Sequence, residues 1–139
     1  IGENGLKDHD RRYEQAEEFL QLCYKFWEGS WEDDAMLKDK QQRIFTDPAK
    51  VHQVNHQGQF YRSQGVFQVS PSVQRTPVLF QAGASPRGMA FATQHAEGMF
   101  IGGDHPDKIK KQVDQIRRQD TEQGRDPEAI KIFVCGRNS

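Results

Sequence analysis

The last third of the chain alternates short apolar runs with helical patterns, and this alternation restricts the fold more than any other feature. Pro77-Val78-Leu79-Phe80-Gln81 is a continuous apolar strand. Ser85-Pro86 opens a helix through about His95, and Ala96–Ile101 reads as a second strand. Asp104-His105-Pro106 opens another helix with Ile109, Val113 and Ile116 on one face, and Ala129–Val134 reads as a third strand. Strands separated by helices build βαβ units and a parallel sheet, because parallel neighbours need a long crossover. The crossovers should be right-handed. The fold class is α/β, and strands centred on Leu79, Phe100 and Ile132 should lie parallel and adjacent. Three such strands do not close a barrel, and as an open sheet they leave two edges unpaired.

Upstream, Asp8 to about Trp27 reads as a helix capped by Asp8 or Asp10. Tyr13, Ala16, Leu20, Cys23 and Trp27 recur at three- and four-residue steps and form one apolar stripe, which Gly29-Ser30 ends. Residues 30–76 are rich in Asp, Gln, Ser and Pro and lack helical periodicity beyond one turn. Val51–His56 and Gln59–Arg62 flank Gln57-Gly58 and predict a short hairpin; Gly65–Val69 predicts another extended run, ending at Pro71. An irregular stretch of this length reads as a lid or binding insertion.

Only 35% of residues are hydrophobic, 28% are charged and the mean hydropathy is -0.89, so the expected core is thin and should rest on neighbouring structure. A net charge of -1 gives no reason to expect nucleic acid or a membrane as partner, and Lys108, Lys110 and Lys111 should line a solvated helix face. Cys23 and Cys135 form no disulfide framework and no metal-ligand spacing. Both are expected to be reduced and buried, in a cytoplasmic protein. No apolar run approaches the roughly 18 residues of a membrane helix. Ile1-Gly2-Glu3-Asn4-Gly5 resembles neither a signal peptide nor an initiator sequence, which suggests the interior of something longer.

The strongest chemical signal is Gln81-Ala82-Gly83-Ala84-Ser85-Pro86-Arg87-Gly88, a strand running through small residues into a Ser N-cap and a Pro at the first helical position. Small residues let a ligand approach the backbone, and a helix start favours an anion such as phosphate. A well-capped turn without a ligand is the plainer reading. The pattern is neither a nucleophile elbow nor a P-loop nor a dinucleotide fingerprint, so hydrolase chemistry at Ser85 is not expected. His9 and Tyr13, four apart, can share one helix face and donate hydrogen bonds to a phosphate or flavin edge; a solvated His and a core Tyr are the alternative. His52 and His56 lack a third ligand, so no metal is expected. Trp27 and Trp31 read as packing residues, and His95 and His105 as surface or capping residues.

Taken together, these segments resemble a known family. His9-Asp10-Arg11-Arg12-Tyr13 through Phe19, Phe26-Trp27-Glu28-Gly29-Ser30-Trp31 through Ala35, Asp47-Pro48-Ala49-Lys50-Val51-His52, His56-Gln57-Gly58 with Phe60, and Pro77 through Ser85 are similar, in order, to the luciferase-like flavin monooxygenases, in the group acting on nitrilotriacetate, dibenzothiophene sulfone and long-chain alkanes. The resemblance implies a partial TIM (β/α)8 barrel running from about the fourth barrel helix to the seventh strand. In that frame 1–31 is the helix after strand four, 32–76 an irregular insertion shaping the substrate pocket, and 77–139 three β–α units. It implies reduced FMN as cofactor, with His9, Tyr13 and Ser85 contacting it. It also implies O2 and a small organic substrate as partners, a separate NAD(P)H-dependent flavin reductase, and a full-length parent that could form a homo-oligomer. The earlier strands, the eighth strand and the C-terminal helices of the family pattern have no counterpart in these 139 residues. An isolated piece is therefore expected to lack a complete flavin pocket and to be inactive. An inactive remnant or interaction module, and a small phosphate-ligand-binding α/β domain, stand as alternatives.

Overall fold

The computed structural model describes residues 9–83 and 85–135, which fall into two compact units, Ile1–Pro77 and Val78–Ser139. The first opens with α1, His9–Gly29. Asp10 lies inside its first turn and is not the cap; Asp8, the other candidate, is outside the described residues. The predicted apolar stripe (Tyr13, Ala16, Leu20, Cys23, Trp27) is only half-buried, and the buried residue of α1 is Leu22. The reason is geometric. At about 100° per residue, Gln15, Glu18, Leu22 and Lys25 point away from the stripe. Of these, Gln15, Glu18 and Lys25 hydrogen-bond to residues 56–61 of the first unit. Cys23 is half-buried, while Cys135 is exposed, which corrects the expectation that both are buried.

Residues 30–76 contain more regular structure than their composition suggested. β1 (Met36–Asp39) and β2 (Ile44–Thr46) pair antiparallel around a bulge, a hairpin the sequence did not announce. Its turn has no glycine: Asp39 Oδ1 accepts from the amides of Gln41 and Gln42, each at 2.9 Å, and Arg43 takes a left-handed φ of 57°, while Lys38, in β1 at the bulge, takes φ 50°. A 3-10 turn at Pro48–Lys50 is capped by Asp47, whose side chain accepts from Ala49 N. β3 (Val54–Gln57) and β4 (Arg62–Gly65) form the expected hairpin, but its loop is residues 58–61, not Gln57-Gly58. The extended run predicted over 65–69 stops at Gly65. From there the chain is tied by single contacts: Ser30 Oγ accepts from Phe67 N at 2.8 Å, and buried Trp31 donates from Nε1 to Phe67 O at 2.7 Å.

The second unit is the predicted three-stranded parallel sheet, in the order β5 (Phe80–Ala82), β6 (Gly98–Gly102), β7 (Lys131–Cys135). α2 (Pro86–His95) and α3 (Pro106–Glu122) are the crossovers. Each helix starts with Pro behind a capping side chain, Ser85 and His105, as the Ser-Pro and His-Pro pairs imply. His95 is not a free surface residue: its ring lies 4.9 Å from that of Phe91. One sheet face is covered. Met89, Ala92, Ala96, Met99, Ile101, Ile116 and Ile130 form its core, with Ile109, Val113 and Ile132 packed against it. The other face carries Phe80, Phe100 and Phe133, 53%, 40% and 43% exposed, with ring centroids 5.2–5.9 Å apart. β5 is therefore not the fully buried strand its apolar run suggested, because helices cover only one side of it. Lys108, Lys110 and Lys111 are exposed on α3, with Lys108 and Lys110 paired to Asp104 and Asp114 at 2.9 and 2.7 Å.

Candidate functional site

The first turns of α1 bring His9 and Tyr13 together. Their rings lie 5.2 Å apart and tilted by 58°, which places both polar tips on one face of the helix start. His9 Nδ1 is 3.1 Å from Asp10 Oδ1. A carboxylate only accepts, so Nδ1 carries the hydrogen and the ring orientation is tied to Asp10. His9 is exposed and Tyr13 half-buried.

Ser85 lies in the second unit, three residues past the end of β5. Its extended backbone (φ -70°, ψ 149°) stands just outside α2, and its Oγ accepts from Gly88 N at 3.1 Å. The hydroxyl has used one lone pair and keeps its own proton to donate. Gly83 takes φ 143°, a backbone conformation L side chains rarely adopt, so the turn needs glycine there. The first turn of α2 holds no acidic residue, and its charged residue is Arg87. Helix starts ordinarily attract Asp and Glu. The helix start, with the Ser85 hydroxyl beside it, makes this turn suited to an anion.

A second polar cluster went unread in the sequence. Glu18 Oε2 accepts from Phe60 N at 2.9 Å, and Oε1 accepts from Tyr61 N at 2.7 Å and His56 Nε2 at 3.1 Å. Burial pushes the Glu18 carboxyl up, but the amides of Phe60 and Tyr61 and the His56 imidazole together hold it below the usual carboxylate range. His56 Nδ1 faces Lys25 Nζ at 3.1 Å. Gly58 fits because a Cβ there would collide with the Glu18 carboxylate. Glu18 is separated from these partners by about forty positions, and no local pattern links them; only the His56-Gln57-Gly58 run hinted at the hairpin side. His52 instead meets Glu32 at 2.7 Å. Among the described residues, no group of three or more His, Cys, Asp or Glu side chains is arranged to hold a metal ion.

The model of the luciferase-like monooxygenase family matches residues 2–137. The chain belongs to that family. It is 48% identical over 134 residues to the long-chain alkane monooxygenase of Geobacillus thermodenitrificans, an alignment covering 96% of this chain and 30% of that protein. It is 49% identical over 134 residues to the dimethyl-sulfide monooxygenase of Hyphomicrobium sulfonivorans, covering 96% of this chain and 28% of that one. A crystal structure of a riboflavin lyase with modified FMN and riboflavin superposes with a TM-score of 0.85 at 45% identity, over 94% of this chain and 29% of the lyase. The chain thus spans about 30% of the length of the curated relatives it matches. Both of these curated relatives are named as monooxygenases. No helix among the described residues is long and apolar enough to cross a membrane.

Proposed function

We propose that this chain is a central segment of an FMNH2-dependent monooxygenase barrel and that it carries one wall of the flavin site. The observation that supports this most is the Ser85 turn. A parallel strand ends in a glycine-dependent bend, and a Ser–Pro helix start with no acidic residue in its first turn follows. That chemistry fits a dianionic phosphate. Ser85 would hold the FMN phosphate, with its hydroxyl proton donated outward and Gly83 allowing close backbone approach. His9 and Tyr13 would offer further donors to the same cofactor.

Reduced FMN, held there in the full-length protein, would supply the electrons for oxygenation of a small organic substrate by O2. A separate NAD(P)H-dependent flavin reductase would supply the reduced flavin. The residues of this chain bind and orient. The unpartnered sheet face at Phe80, Phe100 and Phe133 and the half-buried stripe of α1 fit a (β/α)8 barrel, whose strands fill the interior and whose helices pack outside. In that barrel the three parallel strands would be the fifth to seventh, and the phosphate turn would follow strand five.

In the full-length protein, Ser85→Ala and Tyr13→Phe should each raise the Kd for FMN about ten-fold, the size of one lost hydrogen bond to a charged group. Far-UV circular dichroism should be unchanged. Wild-type FMN affinity in both variants would refute the site. The 139 residues alone should bind FMN more weakly than micromolar, because a helix start contributes only about 0.3–1 kcal/mol when exposed and micromolar affinity requires about 8.

A further inference from the structure

We propose that Glu18 is a positioning residue for the flavin site: through it the β3–β4 hairpin braces the back of α1 and sets the direction of the His9–Tyr13 face. The proposal rests on the reading of His9 and Tyr13 as flavin contacts. It assigns the insertion a part in cofactor binding as well as in shaping a substrate pocket.

The geometry behind it is a multi-point grip. Gln15 Nε2 donates to Tyr61 Oη at 3.0 Å, Glu18 takes the amides of Phe60 and Tyr61, and Lys25 meets His56. These contacts run from residue 15 to residue 25, about 15 Å along the helix axis at the usual rise. One contact would leave α1 free to roll about its axis; several at different heights do not. The side chains of His56 and Glu18 are 6% and 13% exposed, so water competes little for their hydrogen bonds. Glu18 and Lys25 lie on the helix face turned away from His9 and Tyr13, so the grip leaves the flavin-facing side open. Binding side chains must be held within about 0.5 Å and 10–20° to act together. A helix rolled by more than that would misdirect both His9 and Tyr13.

The test uses the full-length protein titrated with FMN, followed by flavin fluorescence, with melting and circular dichroism read in parallel. Glu18→Gln places an NH2 group against a backbone donor. It should stay folded at 25 °C and raise the FMN Kd about five-fold, within the range such coupled networks transmit. Gly58→Ala, which displaces the carboxylate without removing it, should act in the same direction and decides the matter if Glu18→Gln does not fold. Ile116→Ala, a core substitution in the other unit, serves as the control and should lower Tm with less than about two-fold change in Kd. Wild-type Kd in folded Glu18→Gln and Gly58→Ala overturns the proposal. So does an Ile116→Ala effect as large as theirs, because loss of stability alone would then account for it. Tyr13→Phe separates the two readings. If it too leaves Kd unchanged, the reading of Tyr13 as a flavin contact falls and the positioning role with it; if it weakens binding while the Glu18 and Gly58 variants do not, only the positioning role falls.

Discussion

Asp120 shows how a single residue can work against the fold that holds it. It lies on α3 one turn beyond Ile116, is fully buried, and its two carboxylate oxygens accept no hydrogen bond from the described residues. Burial pushes its pKa up, and the guanidinium groups of Arg125 and Arg117 offset this only in part. Those arginines donate elsewhere: Arg125 to the carbonyls of Thr93 and Ala96, and Arg117 to those of Pro127 and Ile130. A carboxyl whose folded pKa is raised binds its proton more tightly in the folded state. Stability therefore falls as pH rises from the unfolded pKa through the folded one. Asp120→Asn should stabilise the protein at neutral pH, and the gain should vanish in acid below the ordinary carboxylate range. Urea denaturation midpoints between pH 3 and 7 measure this; a variant less stable than wild type at pH 7 would mean that attraction to the two arginines outweighs burial. Glu18 has the opposite sign. Its contribution is present above the ordinary carboxylate range and is lost as pH falls through its lowered pKa.

Among the elements, α2 and α3 illustrate how local chemistry and packing divide the work. Ser-Pro and His-Pro set where the helices begin, and the 3.6-residue spacing of Ile109, Val113 and Ile116 sets which face of α3 is buried. Ile116 is fully buried against the covered side of the sheet. Ile116→Ala should destabilise the second unit by about 2–5 kcal/mol, since lost burial and a residual cavity add. A loss below about 1 kcal/mol in chemical denaturation would show that the helix collapses onto the gap. The β1–β2 hairpin is the contrasting case. Its turn is built from an Asp side chain and a left-handed Arg43, so the Asn-Gly or Asp-Gly pair that ordinarily announces a tight hairpin is missing.

On the scale of the whole molecule, the described residues expose apolar surface that ordinary soluble domains cover. Phe80, Phe100 and Phe133 form an aromatic ladder on one sheet face, and Leu37, Ile44 and Phe45 are exposed on the first hairpin. A parallel sheet is normally buried on both faces. These 139 residues on their own should therefore bind the hydrophobic dye 1-anilinonaphthalene-8-sulfonate with a large fluorescence gain, and Phe100→Ser should reduce it. Absence of dye binding would show that the open face finds cover within the chain.

Local chemistry in the sequence determined the parallel α/β order, the helix starts at Ser85-Pro86 and His105-Pro106, and the pairing of His9 with Tyr13 on one helix face. These follow from contacts three or four residues apart, or from an apolar period that reads the same in any context. Family membership was also legible, because the motif segments recur in order along nearly the whole chain. Tertiary structure alone decided which side of α1 meets the hairpin, that Glu18 closes on residues 56–61, that Cys135 and Phe80 are exposed, and that Asp120 is buried. Each depends on partners some tens of positions away or on whether a second layer covers a face. Helical or strand periodicity marks a face as apolar, but only long-range packing determines whether anything lies against it.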